Sequence, residues 1–214
     1  MTTSSKTQDG VNRLLLLDLD GVLLDSQSNM EIAWTAVRNT LGVSVTFDEY
    51  FEKIGAPFGD ILDDLGIGDQ LGEIEPIFRT ESMKALHKAQ FFSGVEETLL
   101  QLVKRGIKLG VVTSKDKLRT NAVLAQLPVT FATVQTPENK HRGKPAPDHL
   151  LLAMAEANAD PSDTIYMGDM DADYHAARRA DIKYAHAAWG YGEVPGDRVL
   201  VLNKFSEIMD AMEY

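Results

Sequence analysis

The sequence has no cysteine. That excludes disulfide frameworks, thiolate metal sites and cysteine nucleophiles. Positive charge is scarce: 21 Lys+Arg stand against 32 Asp+Glu, a formal net charge of -11. Nucleic-acid and anionic-membrane surfaces need a basic patch, so this balance argues against both as partners. An anionic substrate would need local positive charge, set against the field of the whole protein. Long apolar runs are also missing. The first, Leu14 to Leu17, ends in Asp18, far short of the ~20 residues of a membrane span and too short for a signal-peptide core. The expected location is cytoplasmic. The five histidines (His87, His141, His149, His175, His186) are scattered without a His-Glu-x-x-His pattern, so no zinc site is expected. There is no internal repeat and no low-complexity segment.

What is present suits a globular chain of 214 residues, with 44% hydrophobic and 25% charged residues. A chain of that length buries a substantial core without covalent staples. Residues 1–12 are polar and read as a loose N-terminal tail. Arg13 to Leu19, Ile107 to Thr113, Thr164 to Gly168, Lys183 to Ala188 and Val199 to Leu202 read as buried strands, with a weaker one at Phe131 to Val134. Helical spacing lies between them, at Val95 to Lys104, Lys115 to Leu127, Pro147 to Asn158 and Asp171 to Ala180. Alternation of strand and helix predicts a doubly wound parallel α/β sheet, Rossmann-like in its layering. Residues 26–92 break the rhythm. They carry helical patterns (Asn29 to Leu41, Phe47 to Lys53, Phe58 to Leu65, Gln70 to Ala89), punctuated by Gly42, Gly55-Ala56-Pro57 and Gly66-Ile67-Gly68. They read as a helical cap inserted into a core made of residues 13–25 and 93–214.

Four segments carry chemistry. Asp18-Leu19-Asp20-Gly21-Val22 places two carboxylates at the carboxyl end of a buried strand, where ligands bind in doubly wound sheets. Like charges this close need a cation or a shared proton. Mg²⁺ is the natural partner, since it takes oxygen ligands and only one or two carboxylates. Gly168-Asp169-Met170-Asp171-Ala172-Asp173 follows another strand, and Asp173 lies one helical turn beyond Asp169. Taken alone, that cluster is a match to the helix macrodipole, and Asp171 is expected to face solvent. Thr113-Ser114-Lys115 puts a hydroxyl and backbone N–H groups where a helix starts, which suits an anion, although such residues are also ordinary caps. Lys144-Pro145-Ala146-Pro147 holds a lysine in stiff backbone, able to neutralise a phosphate or carboxylate oxygen.

In this order and spacing the segments (DLDGV, VVTSK, GKPAP, GDMDAD) resemble the haloacid dehalogenase-like hydrolase superfamily, from about Arg13 to about Gly192. Phe91-Phe92-Ser93-Gly94-Val95, Trp189-Gly190-Tyr191-Gly192 and the helical insert are similar to its phosphoglycolate phosphatase-like branch. The resemblance implies an Mg²⁺-dependent phosphatase of a small phosphorylated metabolite, working through an aspartyl-phosphate. It implies that Asp18 is the nucleophile and Asp20 the general acid and base. It implies Mg²⁺ on the Asp18 side chain, the Asp20 carbonyl and Asp169, with Asp173 orienting Lys144 or a metal-bound water. Thr113, the Ser114 backbone and Lys144 would hold the phosphoryl oxygens.

Asp20 argues against dehalogenases, which lack the second aspartate, and against phosphonate-cleaving members, which replace it. A phosphomutase resembling β-phosphoglucomutase is an alternative suggested by Ala33-Trp34. That family carries a hinge histidine where this chain has Met30, and a cap arginine where it has Phe58. A non-catalytic binding protein on the same fold is the other alternative, opposed by the intact Asp18, Asp20, Lys144, Asp169 and Asp173. Within the cap, Ile54 to Gly59, with Gly55 and Phe58 foremost, is expected to meet the leaving group. With Lys53 the only charge nearby, the loop suits a small or uncharged group better than a diphosphate.

Overall fold

The computed structural model describes residues 13–138, 141–193, 196 and 199–212; the polar tail expected over residues 1–12 lies outside them. A six-stranded parallel sheet forms the core. Its strands are β1 (Leu14–Leu17), β4 (Lys108–Val112), β5 (Thr133–Gln135), β6 (Thr164–Gly168), β7 (Lys183–Ala187) and β8 (Leu200–Leu202). They lie in the order β5-β4-β1-β6-β7-β8. The four leucines of β1 are all buried, because the strand is covered on both faces. Leu15 and Leu17 face one core layer with Val111 and Met167. Leu14 and Leu16 face the other with Tyr166 and Leu150. Helices α5 (Val95–Lys104), α6 (Lys117–Leu124), α7 (Asp148–Ala157), α8 (Asp171–Arg179) and α9 (Ile208–Ala211) complete the wrapping.

Between Leu24 and Phe91 the chain leaves the sheet. Helices α1 (Gln27–Leu41), α2 (Phe47–Phe51), α3 (Phe58–Asp64) and α4 (Leu71–Lys84) make up the inserted helical cap. Their own core centres on Trp34. Its ring stacks on Tyr50 at 4.3 Å between centroids, and its Nε1–H donates to the Val45 carbonyl at 3.0 Å. The long helix expected over Gln70 to Ala89 is shorter, with single 3₁₀ turns at Gly68–Gln70 and Leu86–Lys88 on either side of α4.

Three features escape the sequence pattern. The two crossings between core and cap pair as a short antiparallel ribbon, β2 (Leu24–Asp25) with β3 (Gln90–Phe91). Two residues per strand are too few for an alternation to show. The helix expected from Lys115 starts instead at Lys117, because Asp116 accepts the Arg119 N–H at 3.0 Å and caps it. That leaves Lys115 in the turn, and buried. The terminal α9 is a single turn, below the length at which apolar periodicity is readable.

Candidate active site

Asp18 sits one residue past β1, its N–H still donating to the Met167 carbonyl at 2.9 Å. The chain then folds back through Gly21, whose φ of 81° needs glycine. Asp18 is buried; its Oδ1 accepts the Leu19 N–H at 2.8 Å and its Oδ2 lies 2.9 Å from Lys144 Nζ. Lys144 is buried too, and its ammonium also reaches Asp173 Oδ1 at 2.6 Å and the Tyr166 hydroxyl at 3.2 Å. Tyr166 in turn donates to Asp173 Oδ1 at 2.7 Å. Asp173 Oδ2 accepts the N–H groups of Asp169 and Met170 at 3.2 and 3.0 Å. Both oxygens of Asp173 are therefore committed to holding Lys144 and the loop after β6 in place.

Burial pushes the Asp18 carboxyl up to about 7, against the pull of Lys144 and with the help of Asp173 and Asp20. Burial also drives Asp169 well above the usual carboxylate range, and Asp173 and Asp18 add to it. For Lys144, burial would lower the ammonium, but Asp173 and Asp18 outweigh it and carry it above its ordinary value. These groups form a charge cluster that is short of positive charge.

The shortage has an address. Asp169 Oδ2 accepts the Tyr191 N–H at 2.8 Å, while Oδ1, fully buried, has no partner among the described residues. Oxygens of Asp18, Asp169 and Asp173 lie within 4.8 Å of one another. An orphaned carboxylate oxygen beside a second carboxylate is a donor set that fits a hard divalent cation. With Asp173 saturated, Asp18 and Asp169 are the side chains with room for it. Close backbone approach fixes Asp169: a Cβ on Gly21 would stand 2.1 Å from its Oδ2, and one on Gly190 2.3 Å from its Cβ.

Asp20 points the other way, towards the cap. Its Oδ1 accepts the Ser26 hydroxyl at 2.5 Å and its Oδ2 pairs with Lys115 Nζ at 3.0 Å. Asp18, Asp20, Thr113, Ser114, Gly55 and Phe58 all line one cavity of about 70 Å³ between core and cap. Thr113 Oγ1 accepts the Lys115 N–H at 3.1 Å, and the Ser114 hydroxyl donates to the Gly55 carbonyl of the cap at 2.9 Å. Lys144, Asp169 and Asp173 stand behind Asp18. Lys53 is exposed and does not line the cavity. Charge near the cap loop comes instead from the core, where Lys115 and Arg119 both face the cavity, which corrects the expectation of a nearly uncharged surround. Asp171 is exposed, as expected. Arg142 is exposed and pairs with Asp148 at 2.7 Å.

The sequence alone gives Ser26, Lys115, Arg119, Tyr166 and Tyr191 no role of their own, although Lys115 and Tyr191 stand within quoted segments. Lys115 directly follows Thr113-Ser114, which is a usable signal. The others meet the site only through the fold.

The family model for haloacid dehalogenase-like hydrolases matches residues 15–187. Phosphoglycolate phosphatase of Aquifex aeolicus is 27% identical over 183 residues, covering 84% of this chain and 86% of that protein. Pyrophosphatase PpaX of Oceanobacillus iheyensis is 25% identical, covering 83% and 84%. Among solved structures, a haloacid dehalogenase-like family hydrolase from Streptococcus pneumoniae superposes with a TM-score of 0.78 at 24% identity, covering 93% of this chain and 97% of that one. A hydrolase from Pseudomonas syringae gives 0.81 at 22%, covering 94% and 98%; at these identities the likeness is one of fold. Motif order, sheet topology and matched length agree: the chain belongs to the haloacid dehalogenase-like hydrolases.

Proposed function

We propose that this protein hydrolyses a small phosphate monoester, such as phosphoglycolate or a sugar phosphate, with Mg²⁺ as cofactor and Asp18 as covalent nucleophile. The observation that carries the proposal is the pairing of two aspartates with opposite surroundings. Asp18 is buried against Lys144, whereas Asp20, two residues on, opens on the cavity within reach of Ser26 and Lys115. One carboxylate is fixed for attack, and the other stands at the cavity, where it can pass a proton to or from a bound group.

In the first step an Asp18 carboxylate oxygen bonds to phosphorus as the bond to the leaving oxygen breaks, and Asp20 gives that oxygen its proton. In the second, Asp20 takes a proton from water. The water oxygen bonds to phosphorus, the bond to Asp18 breaks, and inorganic phosphate leaves. Thr113, the Ser114 backbone and Lys144 are proposed to hold the phosphoryl oxygens, and Asp173 to hold Lys144. The Asp18 and Asp169 side chains and the Asp20 carbonyl would hold Mg²⁺. When bound, the ion would neutralise the repulsion between the phosphate dianion and the carboxylates. We propose that residues 26–92 act as a cap domain over a core of residues 13–25 and 93–214, with Gly55 and Phe58 meeting the leaving group.

A turnover screen across phosphoglycolate, sugar phosphates and nucleoside monophosphates tests this, run with Mg²⁺ and with EDTA. The expected result is Mg²⁺-dependent release of phosphate from at least one class. Equal turnover in EDTA after exhaustive dialysis contradicts the metal assignment.

A further inference from the structure

The cavity beyond Asp20 is walled by two buried cations that phosphoryl transfer does not require. Arg119, with its side chain 9% exposed, lines the cavity. Its Nε goes to Asp116, one Nη1 proton goes to Ser82 Oγ at 2.9 Å, and the guanidinium lies 5.4 Å from the centre of the Phe78 ring. Nη2 has no hydrogen-bond partner among the described residues. A guanidinium carries five N–H donors, and leaving buried ones unmet is costly. Among the described residues, the only side-chain polar atom sealed inside the protein without a partner is Asp169 Oδ1. Nη2 is therefore not sealed, and Arg119 stands in the wall of the cavity. Lys115, with its side chain 4% exposed, lines the same cavity and has one acceptor, Asp20, among the described residues.

The rest of the wall sets apolar side chains, among them Met30, Ile61 and Phe78, beside a few polar ones, Tyr50, Thr113 and Ser114. Charged donors in such surroundings discriminate strongly, because a ligand that does not meet them leaves them unpaired. A chain of net charge -11 repels an anion at long range, so paired cations at this one place have a use that the global field does not supply.

We infer that Arg119 and Lys115 determine specificity on the leaving-group side by binding a second anionic group of the substrate, a carboxylate or a phosphate, a few atoms from the scissile phosphate. The inference rests on the phosphatase reading above and narrows it. It replaces the uncharged leaving group expected from the cap loop alone. The cavity, at about 70 Å³, holds only a short leaving group with the cap as it stands.

The test separates binding from turnover. Affinities of phosphoglycolate, pyrophosphate and ethyl phosphate are measured by calorimetry at saturating free Mg²⁺ on Asp18→Asn, alone and combined with Arg119→Lys or Arg119→Met. Arg119→Lys keeps a charge opposite Asp116 while removing Nη2, and thermal unfolding verifies that each variant folds. At least one of the two ligands with an anionic tail should bind about tenfold to hundredfold tighter than ethyl phosphate, the range of a charge-assisted hydrogen bond. Both Arg119 variants should lose most of that preference. Preference for phosphoglycolate assigns a carboxylate, and preference for pyrophosphate assigns a phosphate. Ethyl phosphate binding as tightly as both, or a preference that survives both Arg119 variants, overturns the inference. Wild-type p-nitrophenyl phosphate turnover is measured alongside; its absence counts against the phosphatase reading, while the affinity ratios still decide the role of Arg119.

Discussion

Gly21→Ala tests how tightly the fold builds the proposed metal site. Gly21 has φ of 81°, and a Cβ there would lie 2.1 Å from Asp169 Oδ2 and 2.6 Å from its Cγ. Holding alanine in the left-handed region costs about 1–2 kcal/mol. Relieving the overlap adds about 1–3 kcal/mol, as for other insertions into packed interiors. Asp169 cannot swing aside freely, because Tyr191 N–H holds Oδ2 and Gly190 packs against its Cβ. The variant should therefore lose about 2–5 kcal/mol of stability and also need more Mg²⁺ for half-maximal activity. Gly42→Ala is the matched control: φ is 71°, and nothing lies within 4 Å of a Cβ there. It should lose only the conformational part and keep its Mg²⁺ requirement. Urea unfolding in EDTA and Mg²⁺ titration of p-nitrophenyl phosphate hydrolysis give both readings. If the two variants match in stability and in Mg²⁺ dependence, the close fit of Gly21 to Asp169 does not matter to the site.

Asp20→Asn should accumulate phosphate on Asp18 with p-nitrophenyl phosphate, whose leaving group departs without a proton, yet lose about 10²–10⁴-fold towards alkyl phosphates; wild-type rates on alkyl phosphates refute its role. The folded Asp18 carboxyl stands at about 7 against an ordinary 3.8, so the native state keeps a proton that the unfolded chain releases. The Asp18 contribution to stability in EDTA should then be fully present below about pH 4 and be lost as pH rises through about 7, a loss that Asp18→Asn removes. Mg²⁺ must displace that proton, and any held by Asp169, so its apparent affinity should weaken by at least about tenfold per pH unit below 7; thermal unfolding with and without Mg²⁺ at pH 5 and pH 8 reads both, and a larger Mg²⁺ shift at pH 5 contradicts the coupling. Trp34→Ala, which empties the stacked centre of the cap, should cost about 3–5 kcal/mol, and a loss below 1 kcal/mol in urea unfolding would show that the cap packs without it.

The core was legible because parallel strands buried on both faces are continuous apolar runs. Leu14 to Leu17 and Thr164 to Gly168 needed no further signal, and each ends at an aspartate. The β2–β3 ribbon was not, because its pairing joins residues 65 and 67 positions apart in sequence. The charged wall of the cavity was missed for a different reason. Periodicity placed Lys115 inside a helix and said nothing of Arg119. The Asp116 cap delays the helix and turns Lys115 inward, and the packing of α6 against the cap brings Arg119 to Ser82. Tyr166 read as strand core, and it is; only the fold shows that its hydroxyl reaches Lys144 and Asp173.

The most direct test of the central claim is to quench the enzyme during turnover of p-nitrophenyl phosphate and map the phosphoryl group by intact-mass and peptide mass spectrometry. The account predicts an acid-stable, hydroxylamine-labile phosphate on Asp18, formed with Mg²⁺, absent in EDTA and abolished by Asp18→Asn. Label on any other residue, or undiminished labelling of Asp18→Asn, contradicts it.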